Sequence, residues 1–434
     1  MGQQYQGLHR QSFRPCFCER CSSASDLLLL QLTRNSDSFY VIGAGRKITS
    51  WPDYPQRLRR RTPIRLEGAA MQSSAELSVG NTPLVALDRM FPPDEVPVFA
   101  KLEMLNVGGS VKDRTAHYMV SQALAAGRIT SESHLVESSS GNLAIALAMI
   151  AKREGIPFTA VVDPNLAPAN RCLIEAFGGQ IDLVTEKDEG GGYLHTRIRR
   201  VDELVRTIPG AVWLNQYANP DNWRAHYNGI GEEIVREMPV EPTQVVAAVS
   251  TCGTLMGLAR RLRERWPNIE VVAVDLEGSV IFGGTGGNRQ IPGIGASRVP
   301  EQLALPEVDA VIYATDWEST LACRRLAESQ GILAGGSSGT VMAAIAKLIP
   351  NLRKGSCIVT LLPDRGERYL DTVYDPDWPA QERRLTRPFA ASFRRLGERP
   401  SIVRQSRSTS GAASSWMPTA HVLPVPMLSE GAAI

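Results

Sequence analysis

Apolar residues follow two alternating patterns through the middle of the chain. Short apolar runs bounded by polar residues or glycine predict buried strands at 98–104, 158–162, 245–249, 271–274, 310–314 and 357–362. Apolar residues that recur every three or four positions predict helices at 111–126, 142–153, 253–265, 318–330 and 339–348. Because near-continuous apolar strands alternate with helices, the pattern predicts an α/β protein whose largely parallel sheets are covered by helices. Ligands of such sheets gather at the carboxyl ends of the strands.

The two ends of the chain lack this pattern. Residues 1–74 include an arginine-rich run, and residues 379–434 are rich in arginine, serine, alanine and proline without a period. Both are predicted to be disordered, the first as an N-terminal extension and the second as a C-terminal tail. Two interpretations of the extension stay open: translation starts at Met71, or a basic tail has a role in an interaction.

Composition and charge narrow the class of function. A chain of 434 residues that is 43% hydrophobic can bury a full-sized core. With 47 Lys and Arg against 45 Asp and Glu, the net charge of +2 favours neither nucleic acid nor an anionic membrane surface. The leucine run at 27–30 is too short to span a bilayer, and no cleavage site follows it. A cytoplasmic protein that acts on small molecules is therefore expected.

Seven cysteines are present, and they divide into a cluster and four isolated residues. A structural zinc site needs four ligands, and neither a histidine nor a second cysteine pair follows Cys16, Cys18 and Cys21 at a suitable spacing. We therefore expect no metal, and we interpret the cluster as incidental. The isolated residues are expected to be reduced and mostly buried, without disulfides: Cys172, Cys252, Cys323 and Cys357.

The first candidate for chemistry is Lys112, in a loop at 106–114 that leads from a strand into a helix. The positive end of a helix and partial desolvation both lower the pKa of an ammonium group. The neutral amine that results is what a Schiff base requires. An ordinary exposed lysine is the alternative interpretation, because most lysines in helices are solvated.

Three further loops between strands and helices carry hydroxyl groups and glycine. The loop at 137–142 presents serine hydroxyls and backbone N–H groups to a carboxylate, or is a plain capping cluster. The loop at 250–254 suits a phosphate dianion, because its small residues let backbone amides and hydroxyls approach closely. It matches neither a Walker loop nor a dinucleotide fingerprint, so a phosphate without a nucleotide is implied. The segment at 335–339 offers a serine hydroxyl to a ring nitrogen, or is a glycine turn with a capping serine.

In this order, the four loops resemble those of fold-type II pyridoxal-phosphate (PLP) enzymes, and the cysteine synthase and cystathionine β-synthase family fits best. The resemblance covers residues 76–375, begins at the Gly-Asn-Thr-Pro-Leu motif of 80–84, and includes 215–217 and 293–296. It implies a tryptophan synthase β-like fold of two domains, each with a largely parallel sheet flanked by helices. It also implies a homodimer.

The resemblance further divides the chain. Residues 75–105 and 217–378 would form a large PLP-binding domain, and residues 106–216 would form a small mobile domain. The small domain is expected to close over the substrate, because water would divert the reaction.

Roles for single residues follow from the same resemblance. It implies that Lys112 is the catalytic Schiff-base lysine, that Asn142 contacts the ring hydroxyl and that Ser337 meets the pyridine nitrogen. The carboxylate of the amino-acid substrate would be held by Ser139, Ser140 and Asn142. The cofactor phosphate would be bound by Ser250, Thr251, Cys252, Gly253 and Thr254.

The positions at which this chain differs from the family's usual motifs indicate which branch of the family it resembles. Extra hydroxyl groups and an arginine would stabilise the dianionic phosphate of O-phospho-L-serine as a leaving group. Arg197 is the candidate arginine, and a solvated arginine on a helix face is the alternative. The residues that differ from the usual sulfhydrylase motifs are Ser139, Leu143, Tyr217, Ser250 and Cys252.

Stretches at 137–143, 278–283, 295–300 and 363–374 resemble more closely the branch that joins O-phospho-L-serine to the amine of L-glutamate. That reaction leads toward 2,3-diaminopropionate in siderophore biosynthesis. A PLP-dependent transferase that replaces the β-substituent of serine is therefore expected, with Arg289 or Arg298 as candidates for the carboxylates of the second substrate. A sulfhydrylase that makes cysteine from O-acetylserine or O-phosphoserine is the nearest rival. A non-catalytic PLP-binding regulatory protein is the alternative from a different class.

Overall fold

The computed structural model describes residues 78–188 and 191–378, together with the backbone of residues 34–35, 38–39 and 393–395. Most of the predicted N-terminal extension and C-terminal tail therefore lies outside the described residues, as do Cys16, Cys18 and Cys21.

The chain divides into two units, Met1–Ser73 and Ser74–Ile434. In the first unit, β1 (Arg34–Asn35) pairs antiparallel with β2 (Ser38–Phe39). The second unit contains the two larger sheets and all the described helices.

The larger sheet has seven strands. They are β3 (Leu84–Ala86), β4 (Val98–Lys101), β9 (Gln244–Ala248), β10 (Glu270–Leu276), β11 (Ala310–Ala314), β12 (Ile358–Leu361) and β13 (Phe393–Arg395). Their spatial order is β13-β11-β10-β9-β12-β4-β3. The five central strands pair parallel, and the two edge strands pair antiparallel with their neighbours.

The smaller sheet has four strands, which are β5 (His134–Ser138), β6 (Phe158–Val162), β7 (Gln180–Leu183) and β8 (Ala211–Trp213). Their order is β7-β6-β5-β8, and every pair is parallel. All four strands fall inside residues 106–216, and the strands of the larger sheet fall outside them. The mobility of a small domain with those boundaries stays a prediction.

Helices flank both sheets. They are α1 (Lys112–Ala125), α2 (Asn142–Glu154), α3 (Pro168–Ala176), α4 (Leu194–Thr207), α5 (Asp221–His226), α6 (Glu232–Glu237), α7 (Gly253–Arg265), α8 (Asp316–Gln330) and α9 (Gly336–Leu348). A π-helical turn, Tyr227–Gly231, joins α5 to α6. Among the described residues, no helix combines the length and the apolar character that a bilayer crossing requires.

Local chemistry explains where the helices begin and end. In α8, the Thr315 hydroxyl accepts a hydrogen bond from the Glu318 backbone N–H, and the Glu318 carboxylate accepts one from the Thr315 N–H. Both α2 and α8 stop at a glycine with positive φ, Gly155 at 70° and Gly331 at 68°. These left-handed positions suit glycine, which has no Cβ to clash.

Buried apolar side chains pack against both faces of the larger sheet. Along β9, Val246 packs with α9, whereas its neighbour Val245 packs with α7. Because successive side chains of a strand point to opposite faces, strands covered on both sides must be apolar at every position. That requirement explains why the apolar runs were visible in the sequence.

Three predicted features differ from the structure. The strand predicted at 98–104 ends at Lys101, because Glu103 turns inward to pair with the Arg114 guanidinium at 2.6 Å. The helix predicted at 339–348 begins earlier, at Gly336, so Ser337 lies in its first turn rather than in a preceding loop. Cys172 is exposed, whereas the other isolated cysteines are buried.

Candidate active site

A cavity of about 420 Å³ lies where loops from both sheets meet. Its walls follow the carboxyl ends of β5, β6, β9 and β12, as expected for parallel sheets. Small-molecule sites are commonly of this size. The cavity brings together most of the predicted site residues: Lys112, Ser139, Ser140, Asn142, Arg197, Tyr217, Ser250, Thr251, Cys252, Thr254 and Ser337.

Lys112 is the first residue of α1 and lines the cavity. Burial lowers the pKa of its ammonium group, although the nearby Cys252 and Asp364 oppose that shift. A lowered pKa favours the neutral amine, which is the form that reacts with an aldehyde. Lys112 is half-buried rather than exposed, and its role as the Schiff-base lysine stays a prediction.

The loop at 250–254 ends at the N-terminus of α7, where backbone N–H groups have no partner inside the helix. Cys252 adopts a φ of 63°, which turns the chain into the helix. A Cβ on Gly253 would lie 2.3 Å from Asn222 Oδ1, so only glycine fits there. Asn222 donates a hydrogen bond to Thr251 Oγ1 at 3.1 Å and fixes the loop from behind.

Asn142 is the first residue of α2 and contacts a group of residues that follow β12. Its amide donates to Asp364 Oδ2 at 2.7 Å and accepts from the Arg368 guanidinium. The Tyr369 hydroxyl donates to the same Asp364 oxygen at 2.6 Å. Burial raises the pKa of the Asp364 carboxyl, and these two donors lower it. The network connects the loop at 363–374 to the smaller sheet.

On the opposite wall, Arg197 lies at the start of α4 and contacts the serine loop. Its NH1 donates to Ser140 Oγ at 2.7 Å and lies 3.2 Å from Asp163 Oδ2. The Arg197 side chain is only 13% exposed, so the alternative of a solvated helix arginine is wrong. The positively charged Arg197, with its hydrogen-bond donors, therefore lines the same cavity as Lys112.

Tyr217 is buried beside Arg197, and burial raises the pKa of its hydroxyl. The Arg298 guanidinium lies 5.3 Å from the centre of the Tyr217 ring and pairs with Glu301. Arg289 lines the cavity itself, and its NH1 donates to the backbone oxygen of Gly278 at 2.6 Å. Of the two arginines proposed for a second substrate, only Arg289 reaches the cavity wall.

Sequence reasoning missed Asp163, Asp364 and Tyr369, which also line the cavity. Asp163 follows β6 directly, and Asp364 lies three residues beyond the end of β12. The rule that ligands gather at strand carboxyl ends pointed to both positions. Within the residues that the structure describes, no group of three or more His, Cys, Asp or Glu side chains is arranged to hold a metal ion.

The residues present suit PLP. Hydroxyl groups and free backbone amides at the α7 N-terminus are the donor set that a phosphate dianion requires. A lysine with a lowered pKa shares the cavity with that loop, as an aldehyde cofactor needs. The two sheets and this cavity together define a fold-type II PLP enzyme.

Comparisons with known proteins give the family. A family model described as pyridoxal-phosphate dependent enzyme matches residues 75–364. The chain therefore belongs to the family of PLP-dependent enzymes, and PLP is its cofactor. It is 53% identical over 303 residues to N-(2-amino-2-carboxyethyl)-L-glutamate synthase of Ralstonia nicotianae, a match that covers 70% of this chain and 90% of that protein.

Solved structures agree with this assignment. An O-acetylserine-dependent cystathionine β-synthase of Helicobacter pylori is 34% identical with a TM-score of 0.64, and the match covers 68% of this chain and 95% of that one. A cysteine synthase of Entamoeba histolytica is 32% identical with a TM-score of 0.63, covering 69% and 88% of the two chains. The predicted fold and cofactor are confirmed, and the protein is a β-replacement enzyme.

Proposed function

We propose that the protein joins O-phospho-L-serine to L-glutamate. The bond between Cβ and the phosphate oxygen breaks, and a bond between Cβ and the glutamate nitrogen forms. The products are N-(2-amino-2-carboxyethyl)-L-glutamate and inorganic phosphate, with no net oxidation or reduction. The product would serve as a precursor of 2,3-diaminopropionate for siderophores.

The observation that carries the proposal is the position of Arg197. Its guanidinium lines the cavity that Lys112 lines, together with the hydroxyl groups of Tyr217 and Ser250. Charge-assisted hydrogen bonds to a dianionic phosphate are stronger than those to the neutral oxygen of an acetyl group. The similarity to the N-(2-amino-2-carboxyethyl)-L-glutamate synthase of Ralstonia nicotianae supports this product.

Bound PLP supplies an electron sink that makes the α-proton of an amino-acid substrate acidic and allows the β-substituent to leave. Lys112 would hold the cofactor through Nζ, take the α-proton from the substrate and later return it. Ser139, Ser140 and Asn142 would bind the substrate carboxylate, and Arg197 would donate to the leaving phosphate.

The remaining roles divide between cofactor and acceptor. Residues 250–254 would bind the cofactor phosphate, and Ser337 would face the pyridine nitrogen. Arg289 would meet a carboxylate of glutamate. A homodimer is part of the proposal, and sedimentation of the purified protein tests it.

Mass analysis of the product tests donor and acceptor together. Purified protein with O-phospho-L-serine and L-glutamate is expected to yield N-(2-amino-2-carboxyethyl)-L-glutamate, and the Lys112→Ala variant is the matched control. Replacing glutamate with sulfide tests the rival cysteine synthase activity. If cysteine forms efficiently and the glutamate adduct does not, the proposed acceptor is wrong.

A further inference from the structure

Asp163 is an acidic side chain in the wall of a cavity for which an anionic donor is proposed. It follows the last residue of β6 and is 7% exposed. A buried carboxylate close to the site of a dianion repels it, so its presence there requires a physical reason. The reason lies in what Asp163 contacts.

The Asp163 carboxylate, the Ser140 hydroxyl and the Arg197 guanidinium form a triangle. The Ser140 hydroxyl accepts from Arg197 NH1 at 2.7 Å and donates to Asp163 Oδ2 at 3.3 Å. The third side is the ion pair between Asp163 Oδ2 and Arg197 NH1, at 3.2 Å. Arg197 is therefore held from one side by two oxygen atoms.

The carboxylate is itself fixed. Asp163 Oδ1 accepts a hydrogen bond from the Asn165 backbone N–H at 2.9 Å. One oxygen is thus used by the loop after β6, and the other is used by Arg197 and Ser140. This arrangement is that of a rigid support for a long and flexible side chain.

Only part of the guanidinium is engaged. Within the described part of the chain, the buried Nε of Arg197 has no hydrogen-bond partner. A buried donor without an acceptor is unfavourable, and an arginine fork suits the oxygens of a phosphate group. The contacts with Ser140 and Asp163 use NH1 and leave Nε without an acceptor among the described residues.

Resting on the proposed function, we propose that Asp163 is a positioning residue that holds Arg197 in place and so sets the preference for a phosphorylated donor. A phosphate dianion accepts several hydrogen bonds from a correctly placed guanidinium and pairs with its charge, whereas an acetyl group carries no charge to pair with it. Loss of the support is therefore expected to affect the phosphorylated donor more than the acetylated one, because only the Ser140 contact with the carboxylate is common to both donors. A residue that merely stabilised the loop after β6 would affect both donors alike.

The test compares O-phospho-L-serine with O-acetyl-L-serine, each with L-glutamate, because both donors yield the same product for one mass-spectrometric assay. Asp163→Ala, Arg197→Ala and the double variant are measured beside the wild type. We expect Asp163→Ala to lower kcat/KM by about 10-fold with O-phospho-L-serine, mainly through KM, and by less than about 3-fold with O-acetyl-L-serine. The double variant is expected to be no worse than Arg197→Ala alone, because Asp163 acts through Arg197.

Two further variants make the comparison sharper. Asp163→Asn preserves the size of the side chain and an acceptor oxygen, and it is expected to lose less donor preference than Asp163→Ala. The matched control is Asp182→Ala, which removes an ion pair of 2.9 Å to Arg200 on the same helix as Arg197. Neither Asp182 nor Arg200 lines the cavity, so the ratio of the two donors should not change.

Calorimetric titration of the holoenzyme with inorganic phosphate supplies a readout that does not depend on turnover. We expect Asp163→Ala and Arg197→Ala to weaken phosphate binding to a similar extent, about 10-fold. Equal losses for both donors, or an Asp163→Ala effect that adds to that of Arg197→Ala, would overturn the inference. The proposed function fails separately if wild-type protein forms no glutamate adduct from O-phospho-L-serine, while the phosphate titration still tests the coupling between the two residues.

Discussion

The two walls of the cavity are built differently. On the side of the larger sheet, the loop at 250–254 offers hydroxyl groups and backbone amides at a helix N-terminus, fixed by the close contact of Gly253 with Asn222. On the side of the smaller sheet, Arg197 and Asp163 are charged and partly neutralise each other. The first wall suits a cofactor that is always present, and the second suits a substrate that binds and leaves. The variants below test this difference between the walls.

Lys112 lies at the junction of the two walls, and its replacement is expected to have the largest effect. Under the proposed mechanism, Lys112→Ala removes both the covalent attachment of PLP and the group that moves the α-proton. Activity should fall by at least about 10³-fold, because proton transfer by a positioned side chain alone contributes about that much.

Product formation measures this loss, and the absorbance of added PLP bound by the variant shows that the cofactor wall is still formed. Substantial turnover by a folded Lys112→Ala variant would show that another residue holds the catalytic role.

Arg197→Ala tests the substrate wall, with the next largest effect. We expect kcat/KM for O-phospho-L-serine to fall by about 10- to 100-fold, because hydrogen bonds to charged groups are worth about 1.5–3 kcal/mol. Steady-state kinetics with O-acetyl-L-serine should change little. Arg200→Ala, on the same helix but outside the cavity, is the control, and a similar loss with both donors would contradict the proposed role.

Gly253→Ala tests the cofactor wall. The added Cβ would lie 2.3 Å from Asn222 Oδ1, and Asn222 is fully buried and bonded to the Gln216 backbone oxygen at 2.7 Å. Because neither side can move freely, we expect a loss of about 1–3 kcal/mol in the free energy of unfolding and weaker PLP binding.

Chemical denaturation and PLP titration measure the two effects of Gly253→Ala. Gly141→Ala on the substrate wall is the matched control, because a Cβ there meets no atom within 4 Å. If the two variants are equally stable, the cofactor wall is not the more rigid one.

Glu137→Gln is expected to give the smallest effect. It tests a buried carboxyl group in β5 of the smaller sheet. Burial raises the pKa of Glu137 to about 7 from an ordinary value of 4.5. The folded protein thus keeps a proton that the unfolded chain releases, so stability falls as pH rises between those two values.

Between pH 5.5 and pH 7.0 the wild type should lose roughly 1–2 kcal/mol more than Glu137→Gln, as read from denaturation midpoints. The glutamine can still accept from Trp213 Nε1, which lies 2.9 Å from Glu137 Oε1. Identical pH profiles for the two proteins would show that the Glu137 carboxyl titrates normally.

Much of the fold was predictable because its signal is local. Strands such as β6 and β11 are buried on both faces, so their apolar runs stand out, and both were predicted with their observed bounds. The strands β7 and β8 were missed, because they are partly exposed at the sides of the smaller sheet and carry a weaker apolar pattern. Helix α9 was predicted to begin too late, because glycine and serine at its start are poor helix formers on their own.

The candidate site was predictable where it consists of motifs within one loop. Lys112 and the loop at 250–254 each lie at a helix start, and the structure places them there. Asp163 and Arg197 are 34 positions apart and belong to no common motif, so their pairing was not visible. The same is true of Asn142 and Asp364, whose hydrogen bond spans 222 positions.

The sequence by itself determined the family, the cofactor and the strands and helices with a strong apolar pattern, because each depends on residues within one element or one loop. The tertiary structure alone decided which charged groups neutralise each other and which donor atoms remain for a ligand. Those properties depend on distances of about 3 Å between residues far apart in the chain, and on burial that strengthens electrostatic interactions.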